Sequence, residues 1–60
     1  MKYLIQKSKD ALEWLDGYNG GDSWEWSTVR QSSWHLRKPE AERKLKLVHQ
    51  QFPDAIIIEA

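Results

Sequence analysis

The stretch PEAERKLKLVHQQFPDAIIIE, residues 39–59, decides the fold because it encodes a helix followed closely by a strand. From Ala41 to Phe52, apolar residues recur at intervals of four, three and four, which places them on one stripe of a helix. Pro39 suits the first helical turn, and Pro53 disfavours a helical residue before it. The pattern therefore predicts a helix from Pro39 to Phe52.

The residues that follow predict a strand from Ala55 to Glu59. Ile56, Ile57 and Ile58 are β-branched, and their run is too short to make a helix of its own. Consecutive isoleucines place apolar side chains on both faces of a sheet. One face can take the apolar stripe of the helix, and the other needs Trp side chains or a second subunit.

The N-terminal half predicts further strands. Residues Lys2 to Lys7 are expected to form a strand that pairs with the C-terminal one. Residues Ala11 to Leu15 fit two interpretations: a short helix capped by Ser8, or the second strand of a hairpin.

The middle of the chain is expected to alternate between loops and short elements. Residues 16–22 are rich in Gly and Asn and predict a loop. Trp24 to Trp26 predicts a short strand, Ser27 is expected to cap a helical turn that reaches Gln31, and Trp34 to Leu36 predicts another strand. A strand at Trp34 and one ending at Ile58 would close a β-α-β element, right-handed if the two strands are parallel neighbours.

Together these elements predict one α+β domain over residues 1–60, roughly β-β-β-α-β. An N-terminal hairpin and the C-terminal strand form a small sheet, and one amphipathic helix packs on one face of it.

Composition limits the classes of function. The chain has 60 residues and no Cys, which excludes disulfides and thiolate metal sites. Its formal net charge is zero, yet residues 10–25 hold five acidic residues and no Lys or Arg, whereas residues 37–46 hold five basic residues. Only three apolar residues follow Lys2, and no long apolar run exists, so neither an export signal nor a membrane span is predicted. The expected location is the cytoplasm.

No pattern points to catalysis or cofactor binding. Gly20 and Gly21 lack the lysine and helix start of a phosphate-binding loop. The two histidines, His35 and His49, are too few for a zinc site. Serines are present, but none sits on a strained turn with an oxyanion hole. A domain this small rarely encloses a pocket of about 300 Å³ or more. We therefore expect no enzyme activity, cofactor, metal or small-molecule substrate.

Two surfaces are candidates for binding. An acidic and aromatic region is expected to bind another protein, because exposed aromatics are common hot spots of interfaces. Its members are Trp14, Asp16, Tyr18, Asp22, Trp24, Glu25 and Trp26. The alternative is nucleic-acid binding, in which basic side chains contact phosphates and a Trp stacks on a base. Its members are Arg37, Lys38, Arg43, Lys44 and Lys46. The second face of the sheet is a candidate for dimer formation.

The order of these signals resembles that of very small phage and prophage proteins of unknown function. The similarity is carried by residues 2–5, by a Trp before Ser27-Thr28, by residues 34–36, by Pro39-Glu40-Ala41-Glu42 and by residues 54–59. The resemblance favours the hairpin interpretation of residues 11–15. It implies an accessory role in a bacterial cell, acting on a protein partner and inhibiting a host process, and it carries over no site residues.

Overall fold

A computed structural model of the chain describes residues 1–20 and 23–60. It contains a four-stranded sheet, one 3₁₀ turn and one α-helix, in the order that the sequence predicts. The strands are β1 (Tyr3–Gln6), β2 (Trp14–Tyr18), β3 (Trp24–Ser27) and β4 (Ile56–Glu59); the 3₁₀ turn is Arg30–Ser32 and the helix is α1 (Lys38–Val48). The predicted α+β class with a β-β-β-α-β order is therefore confirmed.

All strand pairs of the sheet are antiparallel, in the order β3-β2-β1-β4. The predicted pairing of the first and last strands is confirmed, with Ile5 opposite Ile57. The predicted β-α-β element was expected to be right-handed only if its two strands were parallel neighbours, and they are not neighbours. Leu36 makes an isolated antiparallel bridge with Tyr3, and β4 pairs antiparallel with the same β1, so β1 lies between the two segments that α1 connects.

Residues 11–15 belong to a hairpin, but the second strand lies three residues further along than predicted. It begins at Trp14 and runs through Tyr18, so the expectation of a loop from residue 16 was wrong for residues 16–18. The Gln6 side-chain amide donates to the carbonyls of Ser8 (2.7 Å) and Lys9 (3.0 Å) and occupies the turn. Pairing with β3 then holds the later residues in the sheet.

Helix α1 packs its apolar stripe on β1 and β4. Ala41 and Val48 are fully buried there, together with Ile5 of β1. The helix ends at Val48 rather than at Phe52, and turns carry the chain to the proline at residue 53. Across residues 1–20 and 23–60, no helix has the length and apolar character that crossing a bilayer requires.

Residues 34–36 form backbone hydrogen bonds with both β1 and β2. The backbone N–H of Trp34 donates to the carbonyl of Leu15 at 3.0 Å, and Leu36 exchanges two hydrogen bonds with Tyr3 at 2.7 and 2.8 Å. The predicted strand at this place is thus reduced to a single bridge. This connection fixes Trp34 beside the hairpin formed by β2 and β3.

The face of the sheet opposite the helix is covered partly by Trp14. Its side chain is 9% exposed, and its indole N–H donates to Oε1 of Gln6 at 3.1 Å. The Arg30 guanidinium lies 6.0 Å from the Trp14 ring and donates to the carbonyl of Glu59 at 2.8 Å. A Trp side chain and an Arg therefore shield this face. Cover by Trp side chains was one of the two alternatives expected for the second face of the three-isoleucine strand.

The 3₁₀ turn is not capped as predicted. Its preceding residue is Val29, which makes no side-chain capping bond. The Ser27 hydroxyl instead accepts the backbone N–H of Val29 at 3.0 Å. Ser27 therefore shapes the entry to the turn without capping it.

Candidate functional site

The hairpin of β2 and β3 carries aromatic side chains on the helix side of the sheet. Paired residues of antiparallel strands share a face, and the register pairs Leu15 with Trp26 and Tyr18 with Trp24. Leu15 is fully buried in the core, so its three companions also lie on the helix side. Because α1 sits over β1 and β4, it leaves much of this hairpin face uncovered.

The two tryptophans of β3 pack in different surroundings. Trp26 packs edge-on against Phe52, with 5.2 Å between ring centroids, and Lys7 lies 5.9 Å from its centroid. Trp24 lies one strand repeat further out, where the partner ring is Tyr18 at 4.6 Å. Phe52 therefore closes one end of the hairpin face and leaves the other end open.

A groove of about 340 Å³ occupies this open end, between the hairpin and the C-terminal part of α1. We call it the aromatic groove; it is lined by Tyr18, Trp24, Trp34, Lys44, Leu47, Gln50 and Gln51. Its volume is at the lower end of ordinary ligand sites. We expected that a domain of this size rarely encloses a pocket of about 300 Å³ or more; the groove reaches that volume as an open cleft at the margin of the helix.

The aromatic walls of the groove come from separate parts of the chain. Tyr18 and Trp24 form one wall, with their ring planes tilted by 47°. Trp34 contributes a second aromatic surface, and the Lys44 ammonium lies 5.0 Å from its ring centroid. Tyr18 is 50% exposed and both tryptophans are half-buried, so the groove offers aromatic surface to a ligand.

The helix side of the groove is formed by its last turn and the residues after it. Leu47 is 53% exposed, although it is a large apolar residue. The chain then tightens, because the N–H of Gln50 donates to the carbonyl of Leu47 (3.2 Å) and that of Gln51 to Val48 (3.0 Å). These turns place two amide side chains at the groove beside an exposed leucine.

The structure divides the predicted protein-binding residues among different places. Tyr18 and Trp24 line the aromatic groove. Trp26 is half-buried against Phe52, and Trp14 lies on the opposite face of the sheet, so neither belongs to the groove. Asp16 and Glu25 are exposed on the hairpin, and strand alternation turns Glu25 away from the groove. The remaining predicted residue, Asp22, lies outside the described residues.

The predicted nucleic-acid-binding residues do not form one surface. Lys44 lines the aromatic groove, whereas Lys38 reaches to within 6.0 Å of the Tyr3 ring on another flank of the helix. Arg43 and Lys46, three residues apart, are exposed on the outer side of α1, and Arg37 precedes the helix. A single phosphate backbone would therefore meet these basic side chains from several directions.

Sequence patterns missed four residues of the groove: Trp34, Leu47, Gln50 and Gln51. Trp34 was assigned only to a strand, and the two glutamines only to the helix. Leu47 carried a usable signal, because it stands beside the apolar stripe rather than on it. An apolar residue off the stripe near a helix end is a candidate for a second contact surface.

The polar groups in and around the groove are limited in kind. Both histidines are engaged with the backbone: His35 Nδ1 lies 2.8 Å from the Ser33 carbonyl, and His49 Nε2 lies 2.7 Å from the Ala55 carbonyl. Among residues 1–20 and 23–60, no three His, Asp or Glu side chains are grouped to hold a metal ion. The groove itself contributes rings, amides and one ammonium group.

Fold and site thus define a small α+β domain with an open aromatic groove between a β-hairpin and a helix end. Comparisons with protein-family models, with curated proteins and with solved structures find no match to this chain.

Proposed function

We propose that this chain is a small non-enzymatic accessory protein of phage or prophage type that acts in the cytoplasm by binding another protein. The aromatic groove is the proposed contact surface. Inhibition of a host process would follow if the segment bound there belongs to a functional site of a host protein. The phage-type origin rests on the resemblance in the order of sequence signals.

The observation that carries this proposal is the exposure of aromatic and apolar groups in one groove. Tyr18 and Leu47 are each about half exposed, and Trp24 and Trp34 lie beside them. A chain of 60 residues buries little apolar surface, so leaving such groups outside the core lowers the stability of the fold. Aromatic side chains in a groove are typical anchors of protein–protein contacts.

The test is selection of peptides from a random display library on the intact, immobilised chain. Enriched peptides are then titrated by fluorescence anisotropy against the wild type and two matched variants. Leu47→Ser alters the groove, whereas Leu12→Ser alters a leucine that is 74% exposed and is not a groove residue. We expect Leu47→Ser to weaken binding by about five- to tenfold, since it removes apolar contact area. Leu12→Ser should leave affinity within about twofold.

Binding that is equally strong in both variants would place the contact surface elsewhere. Absence of any enriched peptide would contradict the proposal as a whole. Both substitutions replace exposed side chains, so loss of the fold does not confuse the comparison.

Nucleic-acid binding stays the alternative prediction. One observation favours it: Lys44 and Trp34 combine a cation with an aromatic ring in the groove. The other four basic residues do not support it, because none of them lines the groove. Steep loss of oligonucleotide binding between low and high salt would be its signature.

A further inference from the structure

The lining of the aromatic groove is rich in hydrogen-bond donors. Trp24 and Trp34 offer indole N–H groups that only donate, and neither has a hydrogen-bond partner in the described part of the chain. Lys44 adds an ammonium group, which only donates, and Gln50 and Gln51 add amides, which both donate and accept. No carboxylate lines the groove among the described residues. Donor groups therefore outnumber acceptor groups in the lining, and the groove suits a ligand that presents mainly acceptors.

A polyproline II segment has this property. Each proline lacks a backbone N–H, and the segment makes no internal hydrogen bonds, so its carbonyls remain free to accept. Its rings pack against aromatic side chains, and it binds grooves lined with them at a low entropic cost because its conformation is preformed. Tyr18 and Trp24 on one wall and Trp34 on the other provide such packing surfaces.

The charge of the groove adds a second requirement. Lys44 is the charged residue among those lining it, and it forms no ion pair with any described residue. Its ammonium lies 5.0 Å from the Trp34 ring centroid, so it is held beside the aromatic wall. A carboxylate on the ligand would pair with this ammonium, whereas a basic ligand residue would be repelled by it.

We propose that the occupant of the aromatic groove is a proline-rich segment of a partner protein in the polyproline II conformation. One Asp or Glu of that segment pairs with Lys44. This inference rests on the proposed protein-binding function and names the chemistry of its ligand.

The test uses two further display libraries on the intact chain. One holds a Pro-x-x-Pro frame with all other positions random, and the matched library replaces both prolines by alanine. We expect binders that Leu47→Ser weakens to come from the proline library, with Asp and Glu enriched beside the frame. An oligothymidylate, titrated in parallel, is expected not to bind.

The ion pair is tested with two lysine variants of the same helix. Lys44→Gln should weaken an acidic proline-rich binder by about two- to fivefold, as expected for a partly exposed ion pair. Lys46→Gln, on the outer side of α1, should leave the affinity unchanged. Replacing the acidic residue of the peptide by Lys should weaken binding to the wild type and should weaken binding to Lys44→Gln much less.

Three results would overturn the inference while leaving the proposed function standing. The first is that the alanine library yields as many Leu47-dependent binders as the proline library. The second is that Lys and Arg, rather than Asp and Glu, are enriched beside the proline frame. The third is that Lys44→Gln and Lys46→Gln change the affinity for the acidic peptide equally. Binding of oligothymidylate in place of peptides would overturn both. Absence of Leu47-dependent peptides from every library, the fully random one included, would also defeat the proposed function itself.

Discussion

The two halves of the sheet differ in what covers them. On the helix side, β1 and β4 lie under α1, and Ile5 of β1 is fully buried. The hairpin of β2 and β3 presents large aromatic side chains on the same side, yet Tyr18 remains 50% exposed. The first half is therefore largely covered by the helix, and the second half leaves aromatic surface exposed.

This division has a simple geometrical origin. An α-helix of 11 residues is about 16 Å long and about 10 Å wide, which is enough to cover two strands spaced about 4.8 Å apart but not four. Phe52 extends the cover as far as Trp26. The far end of the hairpin is left open, and the aromatic groove forms there.

The largest expected effect comes from a cavity in the half of the sheet that α1 covers, β1 and β4. Ile5→Ala should lower the free energy of unfolding by about 2–5 kcal/mol, because it leaves a cavity in a close-packed core. A domain of this size has a total stability of only about 3–5 kcal/mol. We therefore expect a largely unfolded variant in a urea titration followed by far-UV circular dichroism. Leu47→Ala, in the groove, should change stability by less than about 0.5 kcal/mol; similar losses in both variants would refute the division.

The second test concerns the turn that holds the hairpin together. Gly20 has a φ of +80°, and a Cβ at this position would meet no atom of the described residues within 4 Å, its chain neighbours aside. Gly20→Ala should therefore cost about 1–2 kcal/mol through backbone strain alone. Ser23→Ala, in the same connection, is the control and should change stability by less than about 0.5 kcal/mol. Equal unfolding midpoints for the two variants would show that the turn does not limit stability.

The third test addresses the outer strand of the covered half. Arg30→Ala removes the hydrogen bond to the Glu59 carbonyl and the contact with Trp14, which should cost about 0.5–1 kcal/mol. Loss of the side chain also exposes apolar surface on the face of the sheet opposite the helix, and an exposed apolar patch favours association. Light scattering should therefore detect more self-association than in the wild type or in Arg43→Ala, whose side chain is exposed on the helix. A monomeric Arg30→Ala of unchanged stability would argue against this shielding role.

The smallest expected effect is the difference in coupling energy between two aromatic pairs, measured by double-mutant cycles. Coupling between Trp26 and Phe52, in the covered region, should be about 1 kcal/mol, and that between Tyr18 and Trp24 about 0.5 kcal/mol. The difference reflects solvent exposure of the second pair. A larger coupling for Tyr18 and Trp24 would mean that the groove contributes to stability as much as the core does.

Several elements followed from local patterns. The stripe from Ala41 to Phe52 predicted α1, but the helix ends at Val48, after which the N–H groups of Gln50 and Gln51 donate to carbonyls three residues back. The β-branched run predicted β4, and strand alternation predicted that Trp24 and Trp26 share a face. Each of these patterns depends on neighbours within a few residues.

The position of β2 and the make-up of the candidate site did not follow from such patterns. The start of β2 at Trp14 depends on the Gln6 amide in the preceding turn and on pairing with β3. Tyr18, Trp34 and Leu47 meet although they are distant in sequence, and only the packing of the helix against the sheet brings them together.

The sequence by itself therefore determined the class of fold, the helix, the C-terminal strand and the supply of aromatic residues, because periodicity and β-branching act locally. The tertiary structure alone decided which aromatic residues are buried and which line a groove. The physical reason is that a short helix covers only part of the sheet, and the boundary of that cover is set by contacts between residues far apart in the chain.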